Sequence, residues 1–274
     1  YLGTVMFNIG QFKLSINELC KSASRAMYTL LGNINKFYAG NVRILIDLFD
    51  KMILPICLYN CEVWGATFFS SRYSPNDFLS EKQHNNPVDK LKGSFLKHIL
   101  GVHSRTSNWA VESETNRNSV IPSILKKMVG FYDHLKSSES PIILESIQLS
   151  EQLNKDGKPS WFTGIVKIAE TLGTPIDQPA NSKVLLNRKL HEYLRHSWHQ
   201  KRIFYSQGKL DLYTSLKERP GFENYLNIPN QKLRQAITRM RISSHKFPIE
   251  TGRFEHKERS ERICPLCCNG IGDE

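Results

Sequence analysis

The sequence has no long apolar run, no internal repeat and few of the signatures that accompany enzyme chemistry. Its most apolar stretch, residues 52–61, is too short and too polar to span a bilayer, which argues against a membrane partner. No positively charged segment followed by an apolar core opens the chain, so no signal peptide is expected. Glycine-rich phosphate loops, G-x-S-x-G and H-E-x-x-H are all missing. Two-metal catalysis needs carboxylates converging on ions a few ångström apart, and no pair of acids in the chain is spaced to supply them. The chain is therefore not expected to carry out a chemical step by itself. The six cysteines, at positions 20, 57, 61, 264, 267 and 268, lack the spacing of a secreted disulfide framework. They point instead to a reducing, intracellular compartment.

What is present is an ordinary globular composition with an uneven charge. Of 274 residues, 40% are hydrophobic and 23% charged, which excludes a fibre or a wholly disordered chain. The formal net charge is +11, and residues 181–274 hold most of it, with 18 basic against 10 acidic side chains. Such a surplus in one part of a chain suits a polyanionic partner, or else a basic surface that binds nothing.

Apolar spacing predicts helices along most of the length. Residues 14–31 form one amphipathic helix with a basic side, ended by Gly32 and Asn33. Residues 41–69 carry the strongest core pattern, with a kink expected near Pro55, which has no backbone donor. Glu62 in this segment reads as a paired buried acid or as a surface charge. Residues 70–87, rich in Ser, Asn and Pro, read as a loop and a boundary. Helices follow at 88–100, with Gly101 as C-cap, and at 108–116, 122–135, 141–153 and 161–172. Asn181 or Ser182 caps a long basic helix to Tyr205. Its His196 and His199 are spaced for metal or for solvent. Residues 209–226 give a helix, a Pro-Gly break and a short second helix. Asn230 caps a basic helix over 231–241, and a short ordered turn is expected over 243–253. The β-prone run at residues 1–7 reads as a strand remnant. Because the chain opens inside that run and stops six residues after Cys268, it is expected to be a piece of a longer protein.

The fold expected is thus mainly α. A helical bundle (13–70) follows the strand remnant (1–12), a helical linker spans 71–180, and a basic region (181–274) leads into half a zinc knuckle. Bases interleaved with aromatic rings suit nucleic acid, the charges on phosphates and the rings on bases. The residues expected to contact it are Arg188, Arg195, Arg202, Arg234, Arg239, Arg241, His245 and Arg253. Glu250 is an alternative partner for Arg253 or Arg241. Cys264 and Cys267 form a C-x-x-C, half of the four ligands that tetrahedral zinc takes.

Several motifs resemble the region after the polymerase palm in reverse transcriptases of LINE-like, non-LTR retrotransposons. They are Tyr1-Leu2-Gly3, Cys20 with Ala23 and Ala26, Leu48-Phe49-Asp50-Lys51, and Glu62-Val63-Trp64-Gly65. Further along come Leu216-Lys217, Tyr225-Leu226, Arg241-x-Ser243-x-His245, Ile249-Glu250-x-Gly252-Arg253, and Arg262-x-Cys264 with Cys267. Asn60-Cys61 stand where the family has Gly before the Glu. The resemblance implies a thumb-like bundle that holds template RNA and primer DNA in an intracellular ribonucleoprotein, nuclear or cytoplasmic. It places the catalytic aspartates and their Mg upstream of Tyr1, and the remaining zinc ligands downstream of Glu274. No cofactor is then expected in this chain, whose parent would be an RNA-directed DNA polymerase. The alternatives are a domesticated helical interaction protein and a non-functional retroelement relic.

Overall fold

The computed structural model describes residues 12–37, 41–69, 86–173 and 179–265, with 267, 268 and 270. The strand expected at 1–7 and nearly all of the loop expected at 70–87 lie outside the described residues. Within them the protein is helical and contains no extended strand. In order come α1 (Lys13–Phe37), α2 (Val42–Leu48), a π-turn (Phe49–Ile53), α3 (Leu54–Cys57), α4 (Cys61–Trp64) and a 3₁₀ turn (Gly65–Phe69). Next are α5 (Pro87–Leu100), α6 (Asn108–Thr115), α7 (Ile121–Lys136), α8 (Pro141–Lys155) and α9 (Trp161–Leu172). The long α10 (Pro179–Tyr205) leads to α11 (Asp211–Leu216), a 3₁₀ turn (Asn224–Asn227), α12 (Gln231–Arg241) and α13 (Pro248–Phe254).

Three local expectations change. Helix α1 does not stop at Gly32 but runs on to Phe37. A glycine inside a helix costs only about 1 kcal/mol relative to alanine, so it does not by itself end one. Helix α10 starts at Pro179, which places Asn181 and Ser182 inside it instead of at its cap. The turn expected over 243–253 contains α13, with Pro248 in its first turn and Glu250 beside the positive end of the helix dipole. Near Pro55, where a kink is expected, the helix is interrupted by the π-turn, after which Pro55 sits in the first turn of α3, where its missing donor is harmless.

The chain divides into two compact units. The first comprises the described residues of Tyr1–Tyr28, Asp50–Leu91 and Ser119–Leu194. Here α4 and the turn after it pack on α7 and α9. Trp64 is fully enclosed, and its indole N–H donates to the carbonyl of Tyr59 at 2.7 Å. Trp161 reaches across to donate to the carbonyl of Glu62 at 2.9 Å. Gly65 lies so close to α7 that a β-carbon there would meet Ile124 Cγ2 at 2.5 Å. Asn60 takes a left-handed conformation, φ 57°, which a β-branched residue would resist. The Asp89 carboxylate accepts the backbone N–H of Val120 at 2.9 Å and so holds the start of α7.

The second unit comprises Thr29–Phe49, Lys92–Asn118 and the described residues of Arg195–Glu274. Its aromatic centre is Trp109, stacked on Tyr205 at 5.0 Å and edge-on to Tyr213 at 5.5 Å. Trp198 lies 6.0 Å from it and donates to the hydroxyl of Ser113 at 2.8 Å. Phe49 and Phe95 stack at 4.4 Å. Helix α6 is enclosed from Trp109 to Thr115 although it carries two acids. Buried charge is tolerated only when paired and hydrogen-bonded, and both acids are. Lys92 pairs with Glu112 at 3.1 Å and Arg241 with Glu114 at 3.1 Å.

Candidate nucleic-acid interface

Helix α12 organises the basic part of the second unit. The Asn230 side chain accepts the N–H of Leu233 at 3.1 Å, a cap worth about 1 kcal/mol. The helix then presents two differently occupied basic sides. On the inner side, Arg234 is only 2% exposed and donates to the carbonyl of Ile228 at 2.6 Å. Burial pulls its pKa down from the usual arginine range. Arg241, inside a chain of alternating charges that runs from Glu114 to Lys217, bonds to Glu114 and to Glu223 at 3.1 Å each, and its guanidinium lies 5.2 Å over the Tyr225 ring. Glu223 also pairs with Lys217, which is 1% exposed, and the Tyr225 hydroxyl donates to Glu114. Burial opposes the charge on Arg241, but Glu114 and Glu223 outweigh it and leave its pKa raised. Burial together with Glu114 raises the pKa of Tyr225. Two of the expected contact residues, Arg234 and Arg241, thus face protein groups.

The outer side of α12 meets the turn after α5. Gln235 lies against Gly101, where a β-carbon would sit 2.4 Å from it. Gly101 has φ +67°, as its expected role as helix C-cap requires. The exposed Arg239 donates to the Gly101 carbonyl at 2.7 Å. Just beyond the helix, the Ser244 hydroxyl accepts the His103 N–H at 3.2 Å and lies 3.0 Å from the Thr106 hydroxyl. Lys97 donates to the Ser104 carbonyl at 2.8 Å, and burial lowers its pKa, with Glu112 partly offsetting. The seam carries exposed His98, His103 and Arg105 from one segment and exposed Lys232, Arg239 and Lys246 from the other. Neither 97–106 nor 231–246 contains an acid. His245 is half-buried, 4.7 Å from the Phe247 ring, with Nδ1 accepting the Phe247 N–H at 3.2 Å. The signal for the 97–106 turn was present in sequence only as a basic stretch with no acid. Its partner lies some 140 residues away.

The remaining expected residues are dispersed. Arg188 is 67% exposed and within 4.0 Å of Glu192 in its own helix, a pairing that contributes a few tenths of a kcal/mol at most. Arg195 is exposed on α10, and Arg202 donates from Nε to the Thr214 carbonyl at 2.9 Å. Arg253 pairs with Glu250 at 3.1 Å, and Glu250 also takes Lys209 at 2.6 Å, so of the two partners expected for Glu250 it takes Arg253. His196 lies 2.8 Å from the Gln200 amide, and His199 stands edge-on to Trp198.

At the end of the described chain, the Cys264 N–H donates to the Gly270 carbonyl at 2.8 Å and the Cys268 N–H to the Cys264 carbonyl at 2.9 Å. The backbone therefore folds back on itself around the C-x-x-C, with Cys268 left-handed at φ 57°. Among the described residues no group of three or more His, Cys, Asp or Glu side chains is placed to hold a metal ion. Cys264 and Cys267 alone do not complete a tetrahedral zinc site. No described helix is long and apolar enough to cross a membrane. No protein-family model, no curated protein and no solved structure matches this chain.

Proposed function

We propose that this chain is the nucleic-acid-holding part of a LINE-like, non-LTR retrotransposon reverse transcriptase. Its helices correspond to a thumb, a linker and the opening of a zinc knuckle, and the chemical step belongs to a palm outside the chain. The observation that carries this reading is the acid-free seam where the 97–106 turn meets α12. The two segments that meet there carry the exposed Arg105, Arg239, Lys232 and Lys246, with His98 and His103. Template RNA and primer DNA both present the repeating phosphates such a surface attracts. In the complete protein, Cys264 and Cys267 supply the first two ligands of the knuckle.

The test is fluorescence anisotropy with single-stranded RNA, single-stranded DNA and an RNA–DNA hybrid between about 50 mM and 200 mM salt. The logarithm of the binding constant is expected to fall linearly with the logarithm of salt. Absence of salt-dependent binding would overturn the proposal. It would favour a second reading, a helical protein-interaction module, for which the exposed apolar side chains of Ile142 and Leu149 on α8 speak.

A further inference from the structure

A cleft of about 140 Å³ opens on the second unit, lined by Arg43, Ile46, Asp47, Asn116, Arg117 and Phe222. It is separate from the residues of the α12 seam. Two arginines, Arg43 and Arg117, border it. Arg43, exposed on α2, lies with its guanidinium carbon 4.5 Å over the Phe222 ring. Stacking on a ring leaves the edge of a guanidinium, with its N–H donors, directed outward, and it reduces the freedom an arginine loses on binding. Arg117 follows the left-handed Asn116 at the end of α6 and approaches Asp47 at 3.4 Å. A tight charge-assisted bond is about 2.7–2.9 Å, so this pair is loose. The cleft is smaller than the roughly 300 Å³ at which pockets begin to enclose whole drug-sized ligands. It suits a single group, and its chemistry of two arginine forks against one carboxylate suits an anion.

We infer that the cleft between Arg43 and Arg117 binds one phosphate group of a nucleotide. Arg43, held by Phe222, and Arg117 donate to the phosphate oxygens, since the planar fork of arginine matches phosphate geometry. Asp47 limits the affinity, because it competes for Arg117 and repels the incoming charge. The phosphate comes from a free mononucleotide or from the 5′ end of a strand, and both sources present the same oxygens.

The test is isothermal titration calorimetry of the full chain with inorganic phosphate, adenosine 5′-monophosphate, and a short RNA with and without a 5′-phosphate. The wild-type chain is expected to bind phosphate and the mononucleotide, and Arg43→Gln to weaken both about tenfold, the loss of one charge-assisted bond. Asp47→Asn is expected to tighten both severalfold, an effect that misfolding does not produce. Lys155→Gln, on α8 in the first unit, is expected to leave both unchanged. A 5′-phosphate that strengthens RNA binding in the wild type but not in Arg43→Gln identifies a strand end as the source, and no such difference identifies the free nucleotide. Failure of phosphate and mononucleotide to bind, or weaker binding by Asp47→Asn, would overturn the site. Salt-dependent RNA binding that persisted in that case would leave the α12 interface standing.

Discussion

Arg241 donates through Nη2 to Oε1 of Glu114 at 3.1 Å, and the Glu114 side chain has no exposed surface. Removing the cation leaves the Glu114 carboxylate with the Tyr225 hydroxyl as its remaining side-chain donor. Breaking a buried pair from one side typically costs about 3–5 kcal/mol. Arg241→Met is therefore expected to lower stability by that order, and Arg241→Met combined with Glu114→Gln to recover part of it. Urea unfolding followed by tryptophan emission reads both, since Trp109 and Trp198 lie in the same unit.

Arg239 and Arg234 stand on one helix yet answer to different assays. Arg239→Gln and Arg105→Gln are each expected to lower the slope of log affinity against log salt by about one. Arg234→Gln is expected to leave that slope unchanged and to lower the urea midpoint, because its guanidinium is enclosed and bonded to Ile228. A full unit of slope lost with Arg234 would reverse this assignment.

Gly101 couples folding to the proposed interface. Its φ of +67° is costly for a residue with a β-carbon, about 1–2 kcal/mol, and that β-carbon would also displace the Gln235 side chain. Gly101→Ala is expected to weaken nucleic-acid binding by moving Arg105 and His103 away from α12, at a modest loss of stability. Anisotropy and thermal unfolding on the same variant separate the two effects.

Alkaline pH is expected to destabilise the first unit through Cys61. Burial pushes this thiol from an ordinary value of 9.0 up to about 12, with the Lys127 charge pulling back and Glu62 adding to the rise. The raised folded value means that the unfolded chain loses this proton first. The contribution is complete below about pH 9 and is lost as pH rises toward 12, at up to about 1.4 kcal/mol per pH unit. Urea midpoints measured below and above pH 9 are expected to fall for the wild type and to fall less for Cys61→Ala.

Most helices were legible because apolar side chains recur at helical spacing and the caps carry the expected residues, Asn230 for α12 and Gly101 after α5. Gly32 misled because one glycine interrupts a pattern without breaking the hydrogen-bond ladder. The proposed interface was half legible. Arg239 lies on its seam, but Arg234 and Arg241 read as equally basic, and their carbonyl and carboxylate partners are set by the fold. For Arg241 the partner Glu114 lies 127 residues earlier, and no local pattern shows it. Arg105 carries no local signal for the same reason, since its place beside α12 depends on bonds such as Arg239 to Gly101 across 138 positions.

Arg262 lies over Gly252, where a β-carbon would meet its Cγ at 2.6 Å, and donates to the carbonyls of Ile249 at 3.0 Å and Lys257 at 2.7 Å. One side chain thus ties α13 to the segment that enters the cysteine turn. A trimmed version of the second unit has to retain Arg262. Cutting just before it would leave two acceptors and an open hollow above Gly252, and α13 would lose the strap that closes its far end.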